Sequence, residues 1–442
     1  MFSSNSEREF INSITGKKYD RFFDAAVDCE VTVGDLNHAA IADFLIHGYY
    51  YGQETPLKHI TKKFENKEHL IPQEHTDLTY INIDSAVDYF IDTFGIIAEK
   101  IRDKSISVDI TGGTDSRLII ALLKYHKVPF EGFYSLISGD EDELKIVNKI
   151  ANYLNVRLNT LSPGQDYNIQ ELVRLSDGLI DINSIKSLVG ALKIRKRKGF
   201  DLTITGVAGE LYKDFWWQQD FPFYGVKKSN LDRLVKSRMY PVHIPDDLFI
   251  DGYINYNNRI EKLVDTLGIY TLDDNTSTYD NIYLNFRIKE QISLFNKISG
   301  NFTPSYSPLL ENKFLSVSNQ LPTSVRWLNQ FHRKVISKID PVLASFPTTE
   351  GGMTLSNRTY NYLTDLLKYI HTKSGKVFSR FFYSNTITNS KESHNSIELD
   401  ESMKYLSKIG LFNNIELEKI SSSTLRSRII SLNLHLREFL DE

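Results

Sequence analysis

V-D-I-T-G-G-T-D-S-R, residues 108–117, is a short apolar run that breaks on paired glycines and leads straight into L-I-I-A-L-L at 118–123. S-I-S-V-D-I at 105–110 reads as a strand and Leu118–Tyr125 as a helix, so the glycines fall on a strand-to-helix turn. Unpaired amides and the positive end of a helix dipole favour an anion there. Gly112 and Gly113 permit close backbone approach, Thr111 and Ser116 add hydroxyls, and Arg117 adds charge. Asp115 is discordant: a carboxylate in an anion nest repels the ligand unless a cation lies between them. Its presence argues for Mg2+ bridging to phosphate oxygens. The alternative is an ordinary glycine turn with an Asp or Ser capping the helix. The stretch matches neither G-x-x-x-x-G-K-[ST] nor G-x-G-x-x-G.

Outward from this turn, strands and helices alternate. V-P-F-E-G-F-Y-S-L at 128–136 reads as a second strand, Glu141–Leu154 as a helix, and V-R-L-N-T-L at 156–161 as a third strand. Helical stretches over Ile169–Arg174 and Ile185–Lys198 precede a strand, D-L-T-I-T at 201–205, and a second glycine turn, G-V-A-G-E at 206–210. This order predicts an α/β fold, a parallel sheet with helices on both faces. Beyond Phe215 helical periods dominate, over Tyr283–Ile298, Arg326–Ile339 and Tyr360–Ile370, which predicts a mostly helical C-terminal region. Upstream, the first thirty residues carry little pattern, and residues 37–52 have helical spacing with Gly48 as a C-cap. His69–Ile71 and Tyr80–Ile83 read as small strands. Ile83–Arg102 reads as an amphipathic helix with Val87, Phe90, Ile91, Phe94, Ile97 and Ile101 inward. The polar stretch Thr386–Asn395 reads as a mobile loop.

At 442 residues, 41% hydrophobic and 24% charged, the chain has ordinary globular composition and room for two or three packed units. A net charge of -4 gives no global case for nucleic acid or an anionic membrane. The single cysteine, Cys29, excludes an intramolecular disulfide and a cysteine-rich metal site. M-F-S-S-N-S-E-R-E-F lacks the features of a signal peptide, and no apolar run is long enough to cross a bilayer, so a cytoplasmic protein is expected. The eleven histidines show no H-E-x-x-H, and no serine lies in G-x-S-x-G. I-R-K-R-K-G at 194–199 is a charge cluster suited to a helix C-terminus, with RNA contact as the second reading.

T-G-G-T-D-S-R resembles the S-G-G-x-D-S pyrophosphate loop of the N-type ATP pyrophosphatases. The arrangement around it is similar to the synthetase domain of the class B asparagine synthetases and their relatives, the β-lactam synthetases and lasso-peptide cyclases. Its Asp-Ser-Arg ending, after Asp109, resembles the cyclase-like branch. F-Y-S-L at 133–136 sits where that family's second strand contacts adenine, and residues 139–155 match its acidic-start helix. T-G-V-A-G-E-L at 205–211 is similar to S-G-x-G-x-D-E-L, one residue shorter. S-P-L-L-E-N-K-F-L at 307–315, L-P-T-S-V-R-W at 321–327, H-R-K-V-I at 332–336 and P-T-T-E-G-G at 347–352 follow in the family's order. Residues 35–49 resemble the tail of the preceding domain, and the likeness covers about Asn37–Thr354.

The resemblance implies an adenine nucleotide α-hydrolase-like fold, with residues 1–84 as an N-terminal remnant or accessory segment, 85–380 as the ATP pyrophosphatase domain and 381–442 as a helical extension. It implies ATP and Mg2+ as cofactors. A substrate carboxylate would attack the α-phosphate to give an acyl-adenylate and pyrophosphate, and ammonia or an amine would then displace AMP. Asp109, Thr111, Gly112, Gly113, Asp115, Ser116, Arg117, Ser135, Leu136, Thr205 and Gly206 would surround ATP, and Asp115 and Glu210 would hold the metal. The implied partners are a small-molecule or peptide carboxylate, an amine or ammonia, and a separate glutaminase or carrier subunit, with no nucleic acid and no membrane.

Three departures qualify the likeness. Phe2 stands where the family's glutaminase has its nucleophilic cysteine, and the segment before the loop is too short for that domain. Gly209 stands where Asp is usual, leaving Glu210 as a metal ligand or as a plain helix N-terminal charge. The family's lysine near the last motif is missing: Thr348 and Thr349 lie there, and Arg333 or Lys334 would substitute as the catalytic cation, unless they only solvate the helix. Trp216 and Trp217 wall a substrate pocket or simply pack. Two further functions stay open, a catalytically weakened nucleotide-binding or assembly protein and a tRNA-modifying enzyme with the same loop.

Overall fold

The computed structural model describes residues 8–64, 82–136, 141–161, 167–224, 231–234, 242, 244–250, 275–382 and 396–440. The first elements are β1 (Arg8–Asn12), β2 (Lys18–Tyr19), α1 (Phe22–Asp28), α2 (His38–His47) and β3 (Ile60–Phe64). β1 pairs antiparallel with both β2 and β3 in a small sheet. Residues 8–28 thus form ordered elements although their sequence carries little pattern. The alternation in β1 is hard to see because its inward positions are Arg8, Phe10 and Asn12, of which only one is apolar. Arg8 is buried because its guanidinium donates to the carbonyls of Lys289 (3.1 Å) and Glu290 (2.7 Å). α2 follows its sequence signals closely: the Asn37 side chain accepts from the Ala40 amide, and Gly48 ends the helix at φ 80.

The parallel sheet is built from β4 (Ile106–Asp109), β5 (Glu131–Ser135), β6 (Leu158–Leu161), β7 (Leu202–Ile204) and β8 (Ser305–Tyr306). Their order is β6-β5-β4-β7-β8, with every pair parallel. Chain order runs outward one way through β4, β5 and β6 and the other way through β7 and β8. The reversal lies between β4 and β7, and the carboxyl edge at such a reversal is where open α/β sheets form a crevice. Neighbouring residues of β5 serve different cores. Phe133 packs with Leu161, Ala191 and Phe200, while Tyr134 joins the main cluster. β8 was missed from sequence because two residues carry no period.

α3 (Ile83–Ile101) buries all six residues expected to face inward. α4 (Thr114–Tyr125) starts four residues earlier than its apolar run, because the polar T-D-S-R forms its first turn. α5 (Glu141–Leu154) has the expected bounds, α6 is Ile169–Ser176 and α7 is Ile182–Arg197. A helical run continues from Asn275–Ile282 through π-helical turns at Tyr283–Ile292 to Ser293–Gly300. The helix expected over Arg326–Ile339 is interrupted. Leu328 and Asn329 take φ 52 and 53, and regular helix begins only at Gln330. That break sets the direction of His332, Arg333 and Lys334 in the first turns of the helix that follows. The helix expected at Tyr360–Ile370 extends over Thr359–Phe382. The strand expected at 69–71 and the loop at 386–395 lie outside the described residues. So do the first residues of the strand expected at 80–83, where Ile83 instead opens α3.

One hydrophobic cluster draws on all three sequence segments, joining Phe10 and Phe22 to Val108 and Leu118 and to Leu432 and Phe439 of the helix Ser423–Leu440. Among the described residues no helix is long and apolar enough to cross a membrane.

Candidate functional site

The two glycine turns leave adjacent parallel strands, β4 and β7, at their carboxyl ends, and they touch. A Cβ on Gly206 would lie 2.9 Å from the carbonyl carbon of Asp115, and one on Gly209 would lie 2.5 Å from Asp115 Cγ. A Cβ on Gly112 would lie 2.4 Å from Thr349 Cγ2. Glycine is needed at these positions for close approach and not for a left-handed backbone. The contact at Gly112 brings in the P-T-T-E-G-G segment, whose Thr349 amide donates to the Gly112 carbonyl at 3.0 Å.

Inside the first turn the hydroxyls brace one another. Thr111 Oγ1 and Ser116 Oγ are 2.7 Å apart, the Thr111 amide donates to Ser116 Oγ (3.3 Å), and the Gly113 amide donates to Thr111 Oγ1 (3.2 Å). The Gly112 amide donates to Glu143 Oε1 at 2.8 Å. A carboxylate from the first turn of α5 therefore occupies one donor of the nest.

Asp115 is the centre of the site. Its Oδ2 accepts from Lys213 Nζ at 2.7 Å, and its Oδ1 lies 3.0 Å from His332 Nε2. Burial alone would raise the Asp115 pKa. Lys213 and His332 outweigh it and hold the carboxyl far below the usual carboxylate range. Burial would likewise lower the Lys213 pKa, and the carboxylates of Asp115, Glu350 and Glu210 reverse this and raise it above its ordinary value. Lys213 Nζ also donates to Thr114 Oγ1 (3.2 Å) and lies 4.0 Å from Glu350 Oε1. His332 is fully buried, and neither ring nitrogen has a well-directed hydrogen bond.

The other residues expected at the site fall into three groups. Thr111, Gly112, Gly113, Ser116, Thr205 and Gly206 line the two turns. Thr205 Oγ1 is 2.7 Å from Ser307 Oγ, which ties this turn to S-P-L-L-E-N-K-F-L. Ser135 is exposed at the carboxyl end of β5, and the Leu136 amide is spent on the Leu161 carbonyl at 2.8 Å. Asp109, at the end of β4, is paired with Arg195, which stacks over Phe133 at 4.7 Å. The basic run at 194–199 thus sends one arginine inward to the loop strand.

The structure turns three of the expected residues to other partners. Arg117 does not face the loop: it is fully buried, and its two terminal nitrogens donate to the carbonyls of Phe346 (2.7 Å) and Pro347 (2.8 Å). Arg333 is buried too, bonded to the Ser356 carbonyl and to Asp365 at 3.1 and 3.2 Å. Lys334 reaches Asp84 at 2.8 Å on the surface. Neither supplies a cation to the loop. The helix Gln330–Ile339 points His332, the residue before Arg333, at Asp115 instead. Trp216 and Trp217 are packed in the main core.

Mg2+ was expected on Asp115 and Glu210. The residues present do not fit it. Asp115 is already engaged by Lys213 and His332, and Glu210 Oε2 accepts from the Tyr283 hydroxyl at 2.7 Å. Among the described residues no group of three or more His, Cys, Asp or Glu side chains is arranged to hold a metal ion. Lys213 and His332 were missed in the sequence as site residues. Lys213 lies three residues after Glu210 in E-L-Y-K-D-F, where only the acidic motif drew notice, and His332 opens H-R-K, where the cations did. The chain matches no protein-family model and no curated protein sequence.

Proposed function

We propose that the chain is an ATP-dependent, AMP- and pyrophosphate-forming amide ligase with its polyphosphate site between the two glycine turns. The observation that carries this reading is the contact of Gly206 and Gly209 with Asp115 at the strand-order reversal. It gathers amides, two hydroxyls and a buried ammonium at one crevice. In the proposed reaction a substrate carboxylate oxygen bonds to the α-phosphorus, and the bond from that phosphorus to the bridging oxygen breaks, releasing pyrophosphate with the electron pair. The amine nitrogen then bonds to the acyl carbon, the bond from that carbon to the AMP oxygen breaks, and the nitrogen loses a proton. Lys213 stands in the place of the positive charge sought at Arg333 or Lys334, where charge develops on the leaving group.

The test is exchange of labelled pyrophosphate into ATP, measured against a panel of carboxylic acids with and without amines. Exchange that depends on one carboxylate supports the ligase. A second reading, a nucleotide-binding protein with weakened chemistry, is favoured by the burial of Arg333 in its own ion pair and by Gly209. ATP binding without exchange for any acid would favour it.

Glu143 offers a separate check. Its carboxylate holds the Gly112 amide and must leave before a phosphate oxygen can take that donor. A hydrogen bond to a charged group contributes about 1.5–3 kcal/mol, so Glu143→Ala is expected to tighten ATP binding about tenfold in a calorimetric titration. Weaker binding in the variant would mean that Glu143 serves the ligand.

A further inference from the structure

We infer that Lys213 is the resident cation of this site and replaces a divalent metal, so that the loop takes its polyphosphate as the metal-free anion. The inference rests on the nucleotide reading for its ligand and on the side chains alone for its cation. An aspartate inside an anion nest requires a positive charge beside it. Lys213 Nζ provides that charge at 2.7 Å from Asp115 Oδ2 and reaches Thr114 Oγ1 in the first turn of α4. The lysine side chain is 9% exposed, and the aspartate 21%, so this is a built pair and not a surface encounter.

Three further observations agree. The position that would offer a second carboxylate, Gly209, has no room for one: its Cβ would fall 2.5 Å from both Asp115 Cγ and Asp115 Oδ1. The ammonium lies 2.7 Å from Asp115 Oδ2 and 4.0 Å from Glu350 Oε1. Glu350 also accepts from Asn329 (3.0 Å), and Glu210 accepts from the Tyr283 hydroxyl (2.7 Å). The fully buried His332 places Nε2 3.0 Å from Asp115 Oδ1, the carboxylate oxygen that Lys213 does not hold. A compact ammonium with three donors can hold the carboxylate and still reach a phosphate oxygen.

Two measurements test this. Binding of Mn2+ alone, read from the free-ion electron paramagnetic resonance signal, is expected to be absent in the wild-type protein and to appear in Lys213→Met, at least tenfold tighter than any wild-type binding. Wild-type Mn2+ binding that is lost in Asp115→Asn would overturn the inference. So would a folded Lys213→Met that binds no more Mn2+ than the wild type. ATP binding to the unmodified protein, by calorimetry in EDTA and then in Mg2+, needs no variant. Equal affinity in the two conditions supports the resident lysine. Binding seen only with Mg2+ overturns it while leaving the nucleotide reading in place. Absence of ATP binding in both conditions removes the nucleotide reading and the metal-free ligand with it, and the Mn2+ arms then still decide the cation.

Discussion

Replacing Lys213 with methionine is expected to lower the unfolding free energy by about 3 kcal/mol, because it strands the Asp115 carboxylate in a mostly buried position. Asp115→Asn should cost a similar amount by stranding the lysine. The double variant Asp115→Asn/Lys213→Met should recover much of the loss, since neither charge is then left alone. Urea unfolding of the four proteins gives the coupling. If the single losses simply add in the double variant, the two residues do not form the pair described. The pair also sets a pH dependence. The folded Asp115 carboxyl lies below its unfolded range, so its contribution is full above the unfolded value, near pH 4, and is lost as the pH falls below it. Lys213 is raised, so its contribution is full below the ordinary lysine range and is lost as the pH rises through the raised value. Stability from this pair should therefore be flat between about pH 5 and 9. Acid unfolding of Asp115→Asn should be less steep than that of the wild type.

Arg333 is expected to matter for the fold and not for the ligand. Arg333→Met leaves Asp365, 2% exposed, with a buried charge and only the Thr354 amide and hydroxyl to hold it at 3.1 and 2.8 Å. The expected loss is about 3–5 kcal/mol, among the largest for a single substitution. Folded Arg333→Met, at low temperature or with osmolyte, should keep the ATP affinity of the wild type. Lys334→Ala, which breaks only an exposed pair with Asp84, should change neither stability nor affinity. A sharp fall in affinity for Arg333→Met with normal stability would return that residue to the site.

The sheet and the glycine turns at its carboxyl edge were legible because they rest on local signals. S-I-S-V-D-I, F-Y-S-L and D-L-T-I-T are apolar or β-branched runs, the first and last next to glycine turns, and each contributes a strand of the parallel sheet. The positions of the loop glycines were legible for the same reason. What was not legible is which cation meets Asp115. That depends on the break at Leu328 and Asn329, which rotates the following helix so that His332 faces the loop and Arg333 faces Asp365. It depends also on the short 3-10 turn Gly209–Tyr212, after which Lys213 turns back toward α4. Neither change of direction has a periodic signature. Arg117 illustrates the same limit: its place beside the glycine pair suggests a ligand group, while its buried guanidinium donates to two backbone carbonyls.

The proposed function requires ATP to lie across both glycine turns at once. Hydrogen exchange followed by mass spectrometry, with and without saturating ATP, reads this out. Slowed exchange in peptides covering 109–117 and 205–213 together is the predicted result. ATP that binds while leaving both stretches unchanged, or that slows exchange only elsewhere, would contradict it.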